Sequence, residues 1–204
     1  MTLAIGVPLG SEWIPAQFWY CFENLIKPVG YKLITMSGAL TPVSREKIVE
    51  KAIELGCDEL LFIDSDMSFR PEAYNQLAAR KCDIVSGKFF ARYHPYEPCA
   101  WKNGKRINLS EFSAVDCSGL AFTLIKMNVF EKMKESGLRP WFNLQIDMSG
   151  IDGKYRVDGE DILFHRKANM AGFTSFVDPD VYVGHLTMLA VRQNNDGLLK
   201  ISKN

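Results

Sequence analysis

Short apolar runs alternate with longer amphipathic segments over the first two-fifths of the chain. The apolar runs predict four buried strands, at residues 3–7, 31–35, 59–63 and 83–87. The segments between them repeat apolar residues at helical spacing and predict helices at residues 14–25, 41–55 and 71–80. Strands joined by helices favour right-handed crossovers and parallel pairing. The pattern therefore predicts an α/β fold with a mostly parallel central sheet flanked by helices.

The second half of the chain has shorter and less regular signals. Asn103-Gly104 is a dipeptide typical of tight turns and predicts the tip of a β-hairpin. Further strands are predicted at residues 115–117, at 121–125 and within 173–184, and further helices at residues 127–136 and 160–171. Residues 143–158 are polar and contain glycine, so they predict a mobile loop, and the polar tail after Arg192 predicts a frayed end.

Composition and charge narrow the class of protein. Of the 204 residues, 47% are hydrophobic and 24% are charged, which is typical of a globular domain. Lysine plus arginine and aspartate plus glutamate each number 24, so the net charge is zero. Proteins that bind a nucleic-acid backbone usually carry a basic excess, so a nucleic-acid partner is not expected. We expect a single domain over residues 1–204.

The N-terminus and the cysteines bear on the location of the protein. The first residues have neither a basic segment nor a long apolar segment, and no apolar run approaches the ~18 residues that a membrane span needs. The 5 cysteines are odd in number and widely spaced, with no Cys-x-x-Cys pair, which disfavours a zinc cluster and a disulfide framework. The sequence predicts a cytoplasmic protein with reduced thiols and no transmembrane segment.

One acidic tripeptide lies where ligand chemistry is expected. Asp64-Ser65-Asp66 directly follows the apolar run at residues 60–63. In an open α/β sheet, ligands bind at the carboxyl ends of strands, and two carboxylates there can hold a divalent cation that in turn holds a diphosphate. The alternative is a solvated turn before the next helix. A second Asp-x-Asp match, Asp178-Pro179-Asp180, is interpreted as incidental.

The order of the motifs resembles that of GT-A glycosyltransferases. The strand, Asp64-Ser65-Asp66, a helix and residues 83–87 are similar to the donor-binding half of that fold. Gly159-Glu160-Asp161 at a helix start is similar to the acceptor-side Glu-Asp motif of inverting members, which include family 2 enzymes and β1,4-galactosyltransferases. Val183-Gly184-His185 lies where many of these proteins place a metal-binding histidine. The resemblance covers about residues 3–188.

This resemblance implies a metal-dependent glycosyltransferase of the hexosyltransferase type, which moves a sugar from a nucleoside-diphosphate sugar to an acceptor hydroxyl. A UDP- or GDP-sugar would be the donor, and a glycan, a lipid-linked glycan or a protein the acceptor. About residues 1–100 would bind the donor and about residues 101–190 the acceptor. The implied cofactor is Mn²⁺ or Mg²⁺. The implied site residues are Asp64, Asp66 and His185 for the metal, Pro8, Arg45, Asp64, Ser65 and Asp66 for the donor, and Asp161 as general base beside Glu160.

Each of these residues also has a simpler interpretation. Glu160 and Asp161 are acidic residues of the kind that the helix dipole favours at an N-terminus. His185 has apolar neighbours and could be a core histidine, Arg45 could lie on the surface, and Pro8 could be an ordinary turn residue. Their occurrence in one order favours the catalytic interpretation. A mechanism that retains the anomeric configuration stays open beside inversion.

The chain departs from the family pattern in two respects. The chain lacks the Gln-x-x-Arg-Trp motif of processive synthases, and it is shorter than most relatives, so its acceptor-binding elements would be reduced.

A sugar nucleotidyltransferase would carry a basic, glycine-rich segment after the first strand, whereas residues 8–13 contain no lysine or arginine. A haloacid-dehalogenase-like phosphatase places its Asp-x-Asp near the N-terminus. A non-catalytic nucleotide-sugar-binding module stays open as the main alternative.

Overall fold

A computed structural model describes residues 1–10, 13–147, 156–187, 189–193 and 199–203 of the chain. The helices are α1 (Ala16–Asn24), α2 (Thr41–Glu54), α3 (Ala73–Ala79), α4 (Met127–Glu135) and α5 (Glu160–Met170). The strands are β1 (Leu3–Pro8), β2 (Lys32–Met36), β3 (Glu59–Ile63), β4 (Met67–Ser68), β5 (Ile84–Lys88), β6 (Ala100–Lys102), β7 (Lys105–Arg106), β8 (Ser113–Val115), β9 (Cys117–Ser118), β10 (Phe122–Lys126), β11 (Gln145–Asp147), β12 (Arg156–Asp158), β13 (Ser175–Tyr182), β14 (Gly184–His185), β15 (Leu189–Gln193) and β16 (Leu199–Lys203).

A seven-stranded sheet lies at the centre, with the strand order β2-β1-β3-β10-β5-β13-β8. β1 pairs in parallel with β2 and β3, and β5 pairs in parallel with β13. β10 runs antiparallel to β3 and β5, and β8 runs antiparallel to β13. Five of the seven strands therefore point the same way, and their carboxyl ends lie at one end of the sheet.

Helices cover both faces of this sheet. One face carries α1 and α3, and its core residues include Leu3, Ile5, Val7, Phe18, Phe22 and Leu77. The other face carries α2, α4 and α5, and its core residues include Ala4, Ile48, Phe62, Phe130 and Phe164. Because both faces are covered, β1 and β3 are buried along their whole length. The predicted α/β fold, with a mostly parallel central sheet flanked by helices, is confirmed.

The sheet differs in one respect from a simple series of parallel crossovers. β3 and β5 are consecutive long strands joined through α3, yet they do not pair with each other, because β10 lies between them in antiparallel orientation. A strand from the second half of the chain thus completes the sheet of the first half. Hydrophobic periodicity marks β10 as a strand but carries no information about which strands it pairs with.

Several local predictions hold and several are wrong. The predicted hairpin is confirmed: β6 and β7 pair around Asn103 (φ 53°) and Gly104 (φ 72°), the left-handed pair that a tight hairpin turn requires. The loop predicted at residues 143–158 is wrong at its ends, where β11 pairs with β12, while residues 148–155 lie outside the described part. The frayed tail is also wrong for the described residues, because β16 pairs with β15. Backbone pairing with a partner strand satisfies the main-chain groups of these short segments.

A buried hydrogen bond ties α3 to the start of β3. The Tyr74 hydroxyl donates to Oε1 of Glu59 at 2.5 Å, and both residues are buried. Burial raises the pKa of the Tyr74 hydroxyl, and the hydrogen bond to Glu59 raises it further. The glutamate carboxylate therefore has a protein partner in place of the water that burial removed.

Replacement of Tyr74 by phenylalanine is expected to destabilise the protein by about 1–3 kcal/mol, because the buried Glu59 carboxylate loses its donor. Urea unfolding followed by circular dichroism measures the change. Tyr20→Phe is the matched control, since the Tyr20 side chain is 67% exposed on α1. Equal unfolding midpoints for the two variants would show that the bond contributes nothing to stability.

Candidate active site

The carboxyl end of the central sheet brings together the residues that the sequence singles out. Asp64-Ser65-Asp66 follows β3 directly, and the Asp64 amide donates to the Ala121 carbonyl at 2.9 Å. Pro8 is the last residue of β1 and is buried, at the same end of the sheet because β1 and β3 are parallel. Ser65 is partly buried.

A short antiparallel pairing brings His185 to Asp66. β14 pairs with β4, so that His185 lies opposite Met67, and the Leu186 amide donates to the Asp66 carbonyl at 2.7 Å. The pairing leaves His185 Nε2 3.8 Å from Asp66 Oδ1. Two residues far apart in the sequence therefore face each other through backbone hydrogen bonds formed by their neighbours.

The tautomer of His185 follows from its other ring nitrogen. His185 Nδ1 lies 2.7 Å from the Phe90 carbonyl oxygen, which can only accept, so Nδ1 carries the proton. Nε2 is then the ring nitrogen that faces Asp66. Backbone carbonyls commonly orient histidine ligands of metals in this way.

The two carboxylate oxygens of Asp66 have different surroundings. Oδ2 accepts a hydrogen bond from Arg92 Nη1 at 2.5 Å, whereas Oδ1 faces His185. Burial raises the pKa of Asp66, and the negative charge of Asp64 adds to the increase, while His185 and Arg92 oppose it. Arg92 thus holds one oxygen and leaves the other directed at the imidazole.

Arg45 connects this cluster to the second acidic motif. Its guanidinium is buried, donates from Nη2 to Asp64 Oδ1 at 2.8 Å, and has Nε 3.7 Å from Glu160 Oε1. It also lies over the Phe62 ring, 5.0 Å from the ring centroid. The interpretation of Arg45 as a surface residue is excluded by this burial. Asp64 and Glu160 thus both lie within ion-pair distance of one cation.

Asp161 lies in the first turn of α5, beside Glu160. Its Oδ1 accepts from the Ile162 amide at 2.8 Å. Burial raises the pKa of Asp161 to about 6, and the negative charge of Glu160 contributes. A carboxylate with this pKa is ionised at neutral pH and yet basic enough to take a proton, as a general base must be.

Arg92, the Phe90 carbonyl and the packing role of Gly159 were not predicted from the sequence. Arg92 and the Phe90 carbonyl follow β5, and their position just after a predicted strand was the available signal. Gly159 is the third: a Cβ there would lie 2.8 Å from Asp161 Oδ1, so glycine leaves room for the carboxylate. The glycine before Glu160-Asp161 could have been noticed as a packing requirement.

The second Asp-x-Asp motif has a structural partner. Asp178 is buried within β13, and its two oxygens accept from Arg80 Nε and Nη2 at 2.6 and 3.0 Å. Asp178 thus forms a bidentate ion pair that joins α3's end to β13. This agrees with the interpretation of the motif as incidental to ligand binding.

Comparison with solved structures identifies the architecture. A197 from STIV superposes with a TM-score of 0.67 at 19% identity, covering 100% of this chain and 95% of that one. GalNAc-T7 with UDP, GalNAc and Mn²⁺ gives a TM-score of 0.60 at 13% identity, covering 91% of this chain and 44% of that one. S. aureus TarS 1–349 in complex with UDP-GlcNAc gives 0.54 at 15% identity, with coverages of 92% and 59%.

The chain has the GT-A fold. At these identities the similarity establishes the fold alone, and the chain spans 44–59% of the two glycosyltransferase structures. No family model and no curated protein sequence matches it. Among the described residues, no helix is long and apolar enough to cross a membrane.

The raised pKa of Asp161 makes the stability of the folded protein depend on pH. The folded protein holds a proton on Asp161 up to about pH 6, whereas the unfolded chain releases it near the ordinary value of 3.8. The free energy of unfolding therefore falls, through this group, as pH rises from about 4 to about 6. Above pH 6 Asp161 is ionised in the folded protein, and this lowers the free energy of unfolding by about 3 kcal/mol relative to low pH.

Asp161→Asn removes this cost and keeps an oxygen for the Ile162 amide, so the variant is expected to exceed wild type in stability above pH 6 and to approach it below pH 4. Urea unfolding across this pH range, in the presence of a metal chelator, measures the difference in the free energy of unfolding between the variant and the wild type. Asp180→Asn serves as control, because the Asp180 side chain is 77% exposed. A stability difference that does not change with pH would contradict the raised pKa.

Proposed function

We propose that this protein is a glycosyltransferase that transfers a sugar from a nucleoside-diphosphate sugar to an acceptor hydroxyl. The observation that carries the proposal is the pairing of Asp66 with His185 at the carboxyl end of the sheet, 3.8 Å apart, with Arg45 linking the same cluster to Glu160. In GT-A folds this end of the sheet is where the donor lies. GalNAc-T7 with UDP, GalNAc and Mn²⁺ and TarS with UDP-GlcNAc support a uridine donor.

The residues present fit a divalent cation that binds together with the nucleotide. Asp66 Oδ1 and His185 Nε2 are two suitable ligands facing each other, one oxygen and one imidazole nitrogen. Within the described residues there is no group of three or more His, Cys, Asp or Glu side chains that could hold a metal. Diphosphate oxygens and water would complete the coordination of Mn²⁺ or Mg²⁺. When bound, such an ion supplies charge neutralisation at the leaving diphosphate.

Other residues would hold the donor. Arg45 fixes Asp64 through Oδ1, and the proposal assigns the rest of that carboxylate to the donor ribose or to a share in the metal. Pro8 ends β1 and Ser65 follows β3 at the same end of the sheet, and the proposal places the donor there. The division into a donor-binding half over about residues 1–100 and an acceptor-binding half over about residues 101–190 belongs to this proposal.

Asp161 is proposed as the general base of an inverting reaction. The acceptor oxygen forms a bond to the anomeric carbon, its proton passes to Asp161, and the bond from the anomeric carbon to the diphosphate oxygen breaks with its electron pair. Glu160, held near Arg45, would orient a sugar hydroxyl. The competing functions are a non-catalytic binding module, which would bind donor and leave it intact, and a sugar nucleotidyltransferase.

Metal-linked donor binding is the first test. UDP is expected to bind much more tightly with Mn²⁺ than with chelator, and Asp66→Asn is expected to abolish that difference, because the amide oxygen carries no charge. Isothermal titration calorimetry measures both affinities. Asp180→Asn, from the second Asp-x-Asp motif, is the matched control. Equal UDP affinity with and without Mn²⁺ in the wild type would contradict the assignment of Asp66 and His185 as metal ligands.

Measurement of sugar transfer tests the assignment of Asp161 as the general base. Asp161→Asn is expected to lower turnover by about 10²–10⁴-fold, the usual contribution of a general base, with Mn²⁺-dependent UDP binding retained. Released UDP is measured with UDP-GlcNAc and UDP-GalNAc as donors, and donor hydrolysis replaces transfer where no acceptor is added. Wild-type turnover in the folded variant would reject Asp161. An absence of turnover in wild type with intact UDP binding would favour the binding module.

A further inference from the structure

A cavity beside the metal-type residues is not accounted for by the function proposed above. It has a volume of about 180 Å³ and lies beyond the carboxyl ends of β5 and β13. Its lining includes Phe90, Arg92, Tyr96, Tyr182, His185 and Thr187. The cavity therefore shares two residues with the cluster around Asp66, namely Arg92 and His185.

The walls of this cavity are aromatic and accessible. Tyr96 is 50% exposed and Tyr182 is 56% exposed, and the Phe90 ring lies 6.4 Å from the Tyr182 ring. Single exposed aromatics are common on protein surfaces, but these rings border one concave space. Rings with an apolar face and a polar edge suit a ligand that has the same combination.

The backbone at Tyr96 supports a role in binding. Tyr96 has a φ of 58°, in the left-handed region, and its amide donates to the Tyr93 carbonyl at 2.7 Å. A bulky residue rarely adopts this conformation, and such residues cluster at binding and catalytic sites. The turn holds the Tyr96 ring at the cavity in spite of this cost.

The position of the cavity restricts which part of a substrate can enter it. In the sheet, β5 is separated from β1 by β3 and β10, which at about 4.8 Å per strand places them about 14 Å apart. A nucleoside bound near Pro8, at the end of β1, would not fill a cavity at the ends of β5 and β13. A group in the cavity would instead lie next to His185 and Asp66, where the diphosphate is proposed to bind.

We propose that this cavity binds a sugar ring of the acceptor, so that the acceptor of the proposed transfer is a carbohydrate. This inference rests on the proposed function. A sugar ring has apolar C–H faces that pack on Tyr96 and Tyr182 and a rim of hydroxyls that can reach Arg92 and Thr187. The half-exposed tyrosines favour an acceptor over the donor sugar, since a donor sugar needs enclosure against water whereas a longer glycan must extend into solvent.

Saturation-transfer NMR tests the cavity without any turnover. The probes are methyl β-glycosides of glucose, galactose, N-acetylglucosamine and N-acetylgalactosamine, each added to the whole protein with UDP and Mn²⁺. At least one probe is expected to bind wild type, and Tyr96→Ala and Tyr182→Ala are each expected to weaken its binding by about tenfold through loss of a packing ring. Tyr20→Ala, an exposed tyrosine on α1, is the control.

Calorimetry with UDP and with UDP-GlcNAc distinguishes whether the cavity binds a sugar of the acceptor, the sugar of the donor or the nucleobase. The acceptor assignment expects Tyr182→Ala to bind both as wild type does. A selective loss of UDP-GlcNAc affinity would assign the cavity to the donor sugar, and displacement of the glycoside by UMP would assign it to a nucleobase; either result overturns the proposal. If no probe binds while Mn²⁺-dependent UDP binding is normal, the cavity proposal fails and the proposed function stands. If UDP binding fails in wild type, the proposed function fails first.

Discussion

The buried guanidinium of Arg45 forms ion pairs with two carboxylates that come from opposite halves of the chain. Asp64 follows β3, Glu160 begins α5, and Arg45 on α2 is 2.8 Å from the first and 3.7 Å from the second. Asp64 and Glu160 are partly buried and stand next to Asp66 and Asp161 in the chain, so these carboxylates would repel one another without a cation among them. A buried cation is in turn stable only when such partners surround it. The arrangement of the acidic motifs therefore depends on this residue.

Burial and backbone pairing then give each acidic residue a different property. Asp161 is withdrawn from water, which raises its pKa to about 6. Asp66 is shared between Arg92 and His185, one oxygen to each, and the imidazole is oriented by the Phe90 carbonyl. The carboxylates of the two acidic motifs thus have distinct surroundings, and carboxylates in different surroundings can take different roles within one site.

The strand order at the carboxyl end of the sheet also bears on where the proposed substrates would lie. The end of β1 lies on one side of Asp66, and the ends of β5 and β13 lie on the other, because Asp66 follows β3, which stands between β1 and β5 in the strand order. A donor that extends along this end would have its nucleoside near Pro8 and its diphosphate near His185. The aromatic cavity at Tyr96 and Tyr182 then lies where an acceptor would approach the diphosphate end of the donor.

The sequence by itself determined the fold class and most of the candidate residues. Unbroken apolar runs predict strands buried on both faces, and the place of Asp64-Ser65-Asp66 after such a run predicts its position at the sheet end, because these signals are local. Pairing partners are not local. The insertion of β10 between β3 and β5, the burial of Arg45, the contact of Arg92 with Asp66 and the raised pKa of Asp161 all depend on which distant segments meet. Only the tertiary structure decided them, because burial and electrostatic contact are properties of neighbours in space, and neither spacing nor composition specifies those neighbours.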